Sequence, residues 1–117
     1  MPEVVEITET ERASIEEAYL DMITQIKSIY TTDDRAQMDA AFEVAHHAHR
    51  LQRRKSGEPY IFHPIAVAKI CAKEIGLGPT AICAALLHDV VEDTPITLED
   101  IREQFGGSIT KMVDGLT

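Results

Sequence analysis

One stretch limits what this chain can fold into: Ala84-Ala85-Leu86-Leu87-His88-Asp89-Val90-Val91-Glu92-Asp93-Thr94. It is the later part of a helix expected from Pro79 to Asp93, apolar until His88 and Asp89 interrupt it. At helical pitch His88 lies over Glu92, and Asp89 over both Glu92 and Asp93, so the polar set projects from adjoining faces of an otherwise oily helix. Such a helix belongs at the centre of a core, where a charge is costly unless it is paired or coordinates a metal. No Lys or Arg stands nearby in sequence to pair these acids. A divalent cation would account for the cluster. So would a half-buried helix with its acids in water and His88 satisfied by a backbone carbonyl.

A second histidine favours the cation. In Ser56-Gly57-Glu58-Pro59-Tyr60-Ile61-Phe62-His63-Pro64, His63 opens another helix, with Pro64 suited to its first position. Packed against the central helix, His63 is expected to meet His88 and Asp89, the three together giving the N,N,O part of a metal site. The remaining histidines are weaker candidates. His46 and His47 are adjacent and diverge; His46 and His49 have helical ligand spacing but no carboxylate with them, and are expected to serve surface or core packing.

Charge narrows the ligand. The net charge is −9, yet residues 35–73 hold seven bases against three acids, with Arg50, Arg53, Arg54 and Lys55 close before His63. A chain this acidic is a poor general binder of nucleic acid, whose affinity rests on many cationic contacts. A local basic loop beside a metal suits one small anionic ligand. Taken alone, the same run is better read as a solvated loop after a helix C-terminus, where cations suit the dipole.

The rest of the chain reads as helix after helix. Residues 1–8 are expected as a tail. A first amphipathic helix is expected from about Thr10 to Tyr30 on Ile15, Ala18, Tyr19, Met22, Ile23, Ile26 and Ile29, and a second from about Asp34 to Gln52 on Met38, Ala41, Phe42, Ala45 and Ala48. Arg53 to Phe62 form a loop, and a third helix runs from His63 to Ile75, where Gly76 is placed for a left-handed C-terminus. After the central helix, Thr97 and Asp100 resemble a capping box for a short helix to Phe105, and Ile109, Met112, Val113 and Leu116 begin a last one. No strand alternation or repeat appears, so the fold class is all-α, a helical bundle stacked around the central Pro79–Asp93 helix, the candidate metal-binding helix. With no Trp and 5% aromatic residues, the core is expected to be Ala, Leu, Ile and Val, with Cys71 and Cys83 as reduced core thiols. No apolar run is long enough for a bilayer, and the acidic N-terminus lacks a signal-peptide pattern; a cytoplasmic protein without membrane contact is expected.

Ala45 to Pro64, followed by Ala84 to Thr94, Phe105-Gly106 and Val113-Asp114-Gly115-Leu116-Thr117, resembles the N-terminal HD hydrolase domain of the Rel/SpoT homologues, which make and degrade guanosine tetra- and pentaphosphate, (p)ppGpp. The resemblance covers roughly residues 36–117, taken as the HD domain, with 1–35 as tail and lead-in helix. It rests on the RKSGEPY-x-x-HP loop and HDVVEDT in that order. It implies a manganese ion held by two histidines and an adjacent aspartate, matching His63, His88 and Asp89. It also implies activation of the hydrolytic water by Glu92 and Asp93, and a guanine nucleotide against Arg54, Lys55 and Ser56. The implied reaction releases pyrophosphate from the 3′ position, leaving GDP or GTP. In the family the fourth ligand, an aspartate, lies several dozen residues beyond the match to Thr117, and synthetase and regulatory domains follow. The chain is therefore expected to be a fragment of a longer enzyme. The alternative expectation is a helical regulatory or interaction module, catalytically incompetent as truncated.

Overall fold

The structure, a computed structural model, describes residues 6–116; residues 1–5 of the expected tail and Thr117 of the last motif lie outside the described residues. Among the described residues there are α1 (Glu9–Thr24), α2 (Thr32–Ala48), α3 (Phe62–Ile70), α4 (Pro79–Asp93), α5 (Leu98–Phe105) and α6 (Gly107–Leu116). A π-helical turn, Cys71–Ile75, continues α3. No strand is present among them; one antiparallel bridge joins Arg53 to Pro59. The all-α expectation holds.

α4 is the axis of the core. Ile82, Cys83, Ala84, Ala85, Leu86, Leu87, Asp89 and Val90 are buried, and α2, α3 and α6 all pack on it. Its alanines let neighbouring backbones approach, while Leu86 and Leu87 fill the space between them. Pro79 starts it at the first turn, where its missing N–H costs nothing. α1 adds Ile15, Tyr19, Met22 and Ile23 to the same core. Tyr19 stacks on Phe42 of α2 with ring centroids 4.2 Å apart and donates its hydroxyl to Asp39 at 2.6 Å. Cys83 is buried and Cys71 half-buried, both free thiols as expected.

The starts were more legible than the ends. Thr97 and Asp100 form the expected capping box, and Thr8 with Glu11 and Thr31 with Asp34 form two more, each contributing about 1 kcal/mol of helix stability. α1, however, stops at Thr24 and not near Tyr30, leaving Ile29 fully exposed. Thr24 turns its hydroxyl back to the Asp21 carbonyl at 2.6 Å, and the following run is rich in β-branched residues and Ser, which compete poorly for helix. α2 ends at Ala48, short of Gln52, with His49 as its C-cap. α3 begins one residue before His63, so Pro64 sits in the first turn but not at its first position. Gly76 takes the expected left-handed conformation (φ 77°), and the Leu77 N–H closes the turn on the Cys71 carbonyl at 2.9 Å.

Candidate functional site

Between α2 and α3 the chain makes a tight hairpin. The Tyr60 N–H donates to the Gln52 carbonyl (3.0 Å), the Arg54 N–H to Glu58 (2.9 Å) and the Gly57 N–H back to Arg54 (2.8 Å). Gly57 has φ 92°, which a side-chain-bearing residue adopts only with strain. The tip therefore holds Arg54, Lys55 and Ser56 out in solvent. Arg53 turns the other way. Its guanidinium grips both oxygens of Glu11 on α1 (2.7 and 2.8 Å), plus the carbonyls of Gly57 (2.8 Å) and Glu6 (3.0 Å). Those hydrogen bonds, with the Thr8 backbone N–H, pull the Glu11 carboxyl down to about 2.

The base of the hairpin meets α4. The Tyr60 hydroxyl donates to Asp89 Oδ2 at 2.9 Å, and burial, with that carboxylate beside it, pushes the phenol up to about 12, so it remains a donor. The other Asp89 oxygen, Oδ1, lies 3.0 Å from His88 Nε2. His88 Nδ1 is 2.7 Å from the Ala85 carbonyl, which can only accept, so Nδ1 carries its proton. In the neutral ring Nε2 is then a bare lone pair facing a carboxylate oxygen. Two acceptors at that distance need a proton or a cation between them.

His63 completes the group less closely. Its Nε2 is 3.9 Å from Asp89 Oδ2, and its Nδ1 is 3.3 Å from the Arg54 guanidinium, which can only donate. That contact places the neutral ring's proton on Nε2, opposite to what a metal bound at Nε2 requires. Among the described residues no three His, Cys, Asp or Glu side chains stand close enough together to hold a metal as they are. The structure thus brings His63 and His88 each against Asp89, with His88 at 3.0 Å and His63 at 3.9 Å and turned to Arg54. The chemistry of two imidazoles and a carboxylate fits manganese or a similar hard-to-borderline divalent ion.

The features expected of the half-buried reading of α4 are present. His88 does bond a backbone carbonyl, and Glu92 and Asp93 are exposed in its last turn, so the four polar groups are not all drawn into the core. Asp89 alone of the acids is buried. His46 packs on Phe42 with centroids 5.6 Å apart, and burial lowers its pKa. His49, only 1% exposed, packs on Tyr60 with centroids 4.8 Å apart. Tyr60 and Gln52 are the residues sequence reasoning passed over. The one available signal was that Tyr60 falls three places before His63, within one turn of it.

Against known proteins, the HD domain family pattern matches residues 41–117. The chain is 51% identical over 86 residues to the GTP pyrophosphokinase of Streptomyces coelicolor, covering 74% of this chain and 10% of that protein. It is 54% identical over 74 residues to the guanosine-3′,5′-bis(diphosphate) 3′-pyrophosphohydrolase of Haemophilus influenzae, covering 63% and 11%. It is 45% identical over 96 residues to the bifunctional (p)ppGpp synthase/hydrolase SpoT of Escherichia coli, covering 81% and 14%. It therefore spans between 10% and 14% of the length of these relatives. Among solved structures, a metazoan orthologue of SpoT described as hydrolysing ppGpp superposes with a TM-score of 0.69 at 34% identity, over 77% of this chain and 51% of that one.

Proposed function

The chain belongs to the HD domain family, with Rel/SpoT enzymes among its relatives, and from that position we propose that it carries the manganese-dependent centre that hydrolyses the 3′-pyrophosphate of (p)ppGpp, in the cytoplasm, as part of a longer Rel/SpoT-type protein. Residues 36–117 form the HD hydrolase domain and 1–35 its tail and lead-in helix. The relatives' names cover both making and breaking this nucleotide, so names alone do not choose between the two directions. The observation that carries hydrolysis is His88 Nε2 set 3.0 Å from a buried Asp89 oxygen, a pair that a divalent cation could bridge in place of a proton and that sits beside a basic hairpin.

His63, His88 and Asp89 would hold the metal, which supplies charge neutralisation and a more acidic bound water. For His63 to give Nε2, its proton moves to Nδ1 and Arg54 leaves it. Arg54, Lys55 and Ser56, exposed at the hairpin tip, bind the guanine nucleotide and its phosphates. Glu92 or Asp93, within one turn of the ligands and open to water, accepts the proton of the attacking water. That water opens the 3′ ester, leaving the hydroxyl on GDP or GTP and releasing pyrophosphate. The synthetase and regulatory domains of the longer protein would balance this reaction.

A second reading, a helical regulatory module without chemistry, draws on one observation: His63 is engaged by Arg54 and stands 3.9 Å from Asp89. Glu92→Gln separates the two. On the hydrolase reading it keeps manganese-dependent thermal stabilisation and lowers turnover by about 100-fold or more. Unchanged turnover in an active protein removes Glu92 from the mechanism, and absence of any manganese-dependent stabilisation favours the module.

A further inference from the structure

The last carbonyls of any α-helix have no partner within it. In α4 the final residue is Asp93, next to Glu92, and its carbonyl accepts from a side chain outside the helix: Gln52 Nε2 donates to it at 2.8 Å. The Gln52 oxygen, for its part, lies 2.6 Å from His49 Nδ1. Because the amide nitrogen is spent on a carbonyl, the amide oxygen must face His49, and His49 must carry its proton on Nδ1. His49 Nε2 is then an acceptor, and it is buried with no partner. Leaving it so costs free energy, a cost the fold accepts where the alternative tautomer would set two acceptors against each other and turn the amide away from α4.

Gln52 is also the lower rung of the hairpin, since its own carbonyl accepts the Tyr60 N–H at 3.0 Å. One residue therefore joins the base of the basic hairpin, the buried end of α2 and the acidic end of α4. We propose that Gln52, oriented by the Nδ1–H of His49, is a positioning residue that fixes the last turn of α4, with Glu92 and Asp93, relative to the nucleotide-binding hairpin.

The proposal rests on the hydrolase reading for its kinetic consequence and on the hydrogen-bond logic alone for the His49 tautomer. Two variants divide the amide's roles. Gln52→Glu keeps an acceptor for His49 but offers no donor to Asp93; Gln52→Lys keeps a donor for Asp93 but no acceptor for His49. With manganese and guanosine tetraphosphate, Gln52→Glu is expected to lower kcat by about 10- to 100-fold with KM changed less than about threefold, the cost of misplacing catalytic groups by a fraction of an ångström. Gln52→Lys should recover turnover relative to Gln52→Glu. Manganese-dependent stabilisation should persist in both, because no proposed ligand is touched.

Independently of activity, 15N NMR of His49 should show proton on Nδ1 in the unsubstituted chain and loss of that tautomer in Gln52→Lys. A proton on Nε2 of His49 in the unsubstituted chain overturns the proposal, as does a Gln52→Glu protein with ordinary kcat and KM. If the unsubstituted chain binds manganese yet hydrolyses nothing, the functional reading fails, and the tautomer still decides whether the brace exists.

Discussion

Asp89 is shared between two partners of different kind: one oxygen accepts the Tyr60 hydroxyl and the other faces Nε2 of His88. Removing the hydroxyl leaves a buried carboxylate oxygen short of a donor and frees the Asp89 carboxylate to rotate. If Asp89 is the proposed metal ligand, Tyr60→Phe is expected to weaken manganese binding by about 10- to 100-fold, as loss of a group that orients a metal ligand commonly does. Titration of the metal against thermal stability measures it; unchanged affinity would show that Asp89 is held in place without Tyr60. At this scale the sequence was partly legible. His88 and Asp89 stood out because they interrupt an apolar helix, and His63 because of the motif around it. Tyr60, His49 and Gln52 were not legible as a set. Their roles come from the hairpin folding back on α4, which brings together residues 41 positions apart in the Gln52–Asp93 bond.

The elements divide into those whose local signals agree and those whose signals conflict. α4, the Gly76 turn and the Thr97 box could be read directly, because each depends on residue types within one or two turns. The ends of α1 and α2 could not, since apolar spacing continues past both and, at α1, masks the local stop made by Thr24 and the β-branched and Ser residues after it. Ile29 tests this. It continues the spacing of α1 yet is fully exposed, whereas Leu86 on α4 is fully buried. Leu86→Ala should cost about 2–5 kcal/mol in urea unfolding, and Ile29→Ala less than about 0.5 kcal/mol. A large loss at Ile29 would mean that α1 extends as its periodicity first indicated. The hairpin is an element in its own right, tied to α1 through Arg53 and Glu11 and to α4 through Gln52 and Tyr60. The lead-in helix thus helps position the basic tip.

Across the whole molecule, two buried histidines set the response to acid. Burial lowers the pKa of both His46 and His49 below 6.5, so between that value and their folded-state values the unfolded chain binds protons that the native chain does not. Stability is therefore fully present above 6.5 and declines as pH falls below it. Glu11, drawn down to about 2, contributes a further loss that begins below 4.5. Melting temperature followed from pH 8 to pH 4 should fall from about 6.5 downward, and a flat profile there would show that neither ring is held neutral. No helix among the described residues is long and apolar enough to cross a membrane. The bundle instead gathers an acidic helix end, two imidazoles and a basic hairpin at one place, and this assembly is what the proposed reaction uses. The most direct measurement is pyrophosphate release from guanosine tetraphosphate by the 117-residue chain, with and without manganese, beside the same chain carrying His88→Ala. The account predicts release that requires both manganese and His88. Release that persists in His88→Ala, or none from a chain shown to bind manganese, would contradict it.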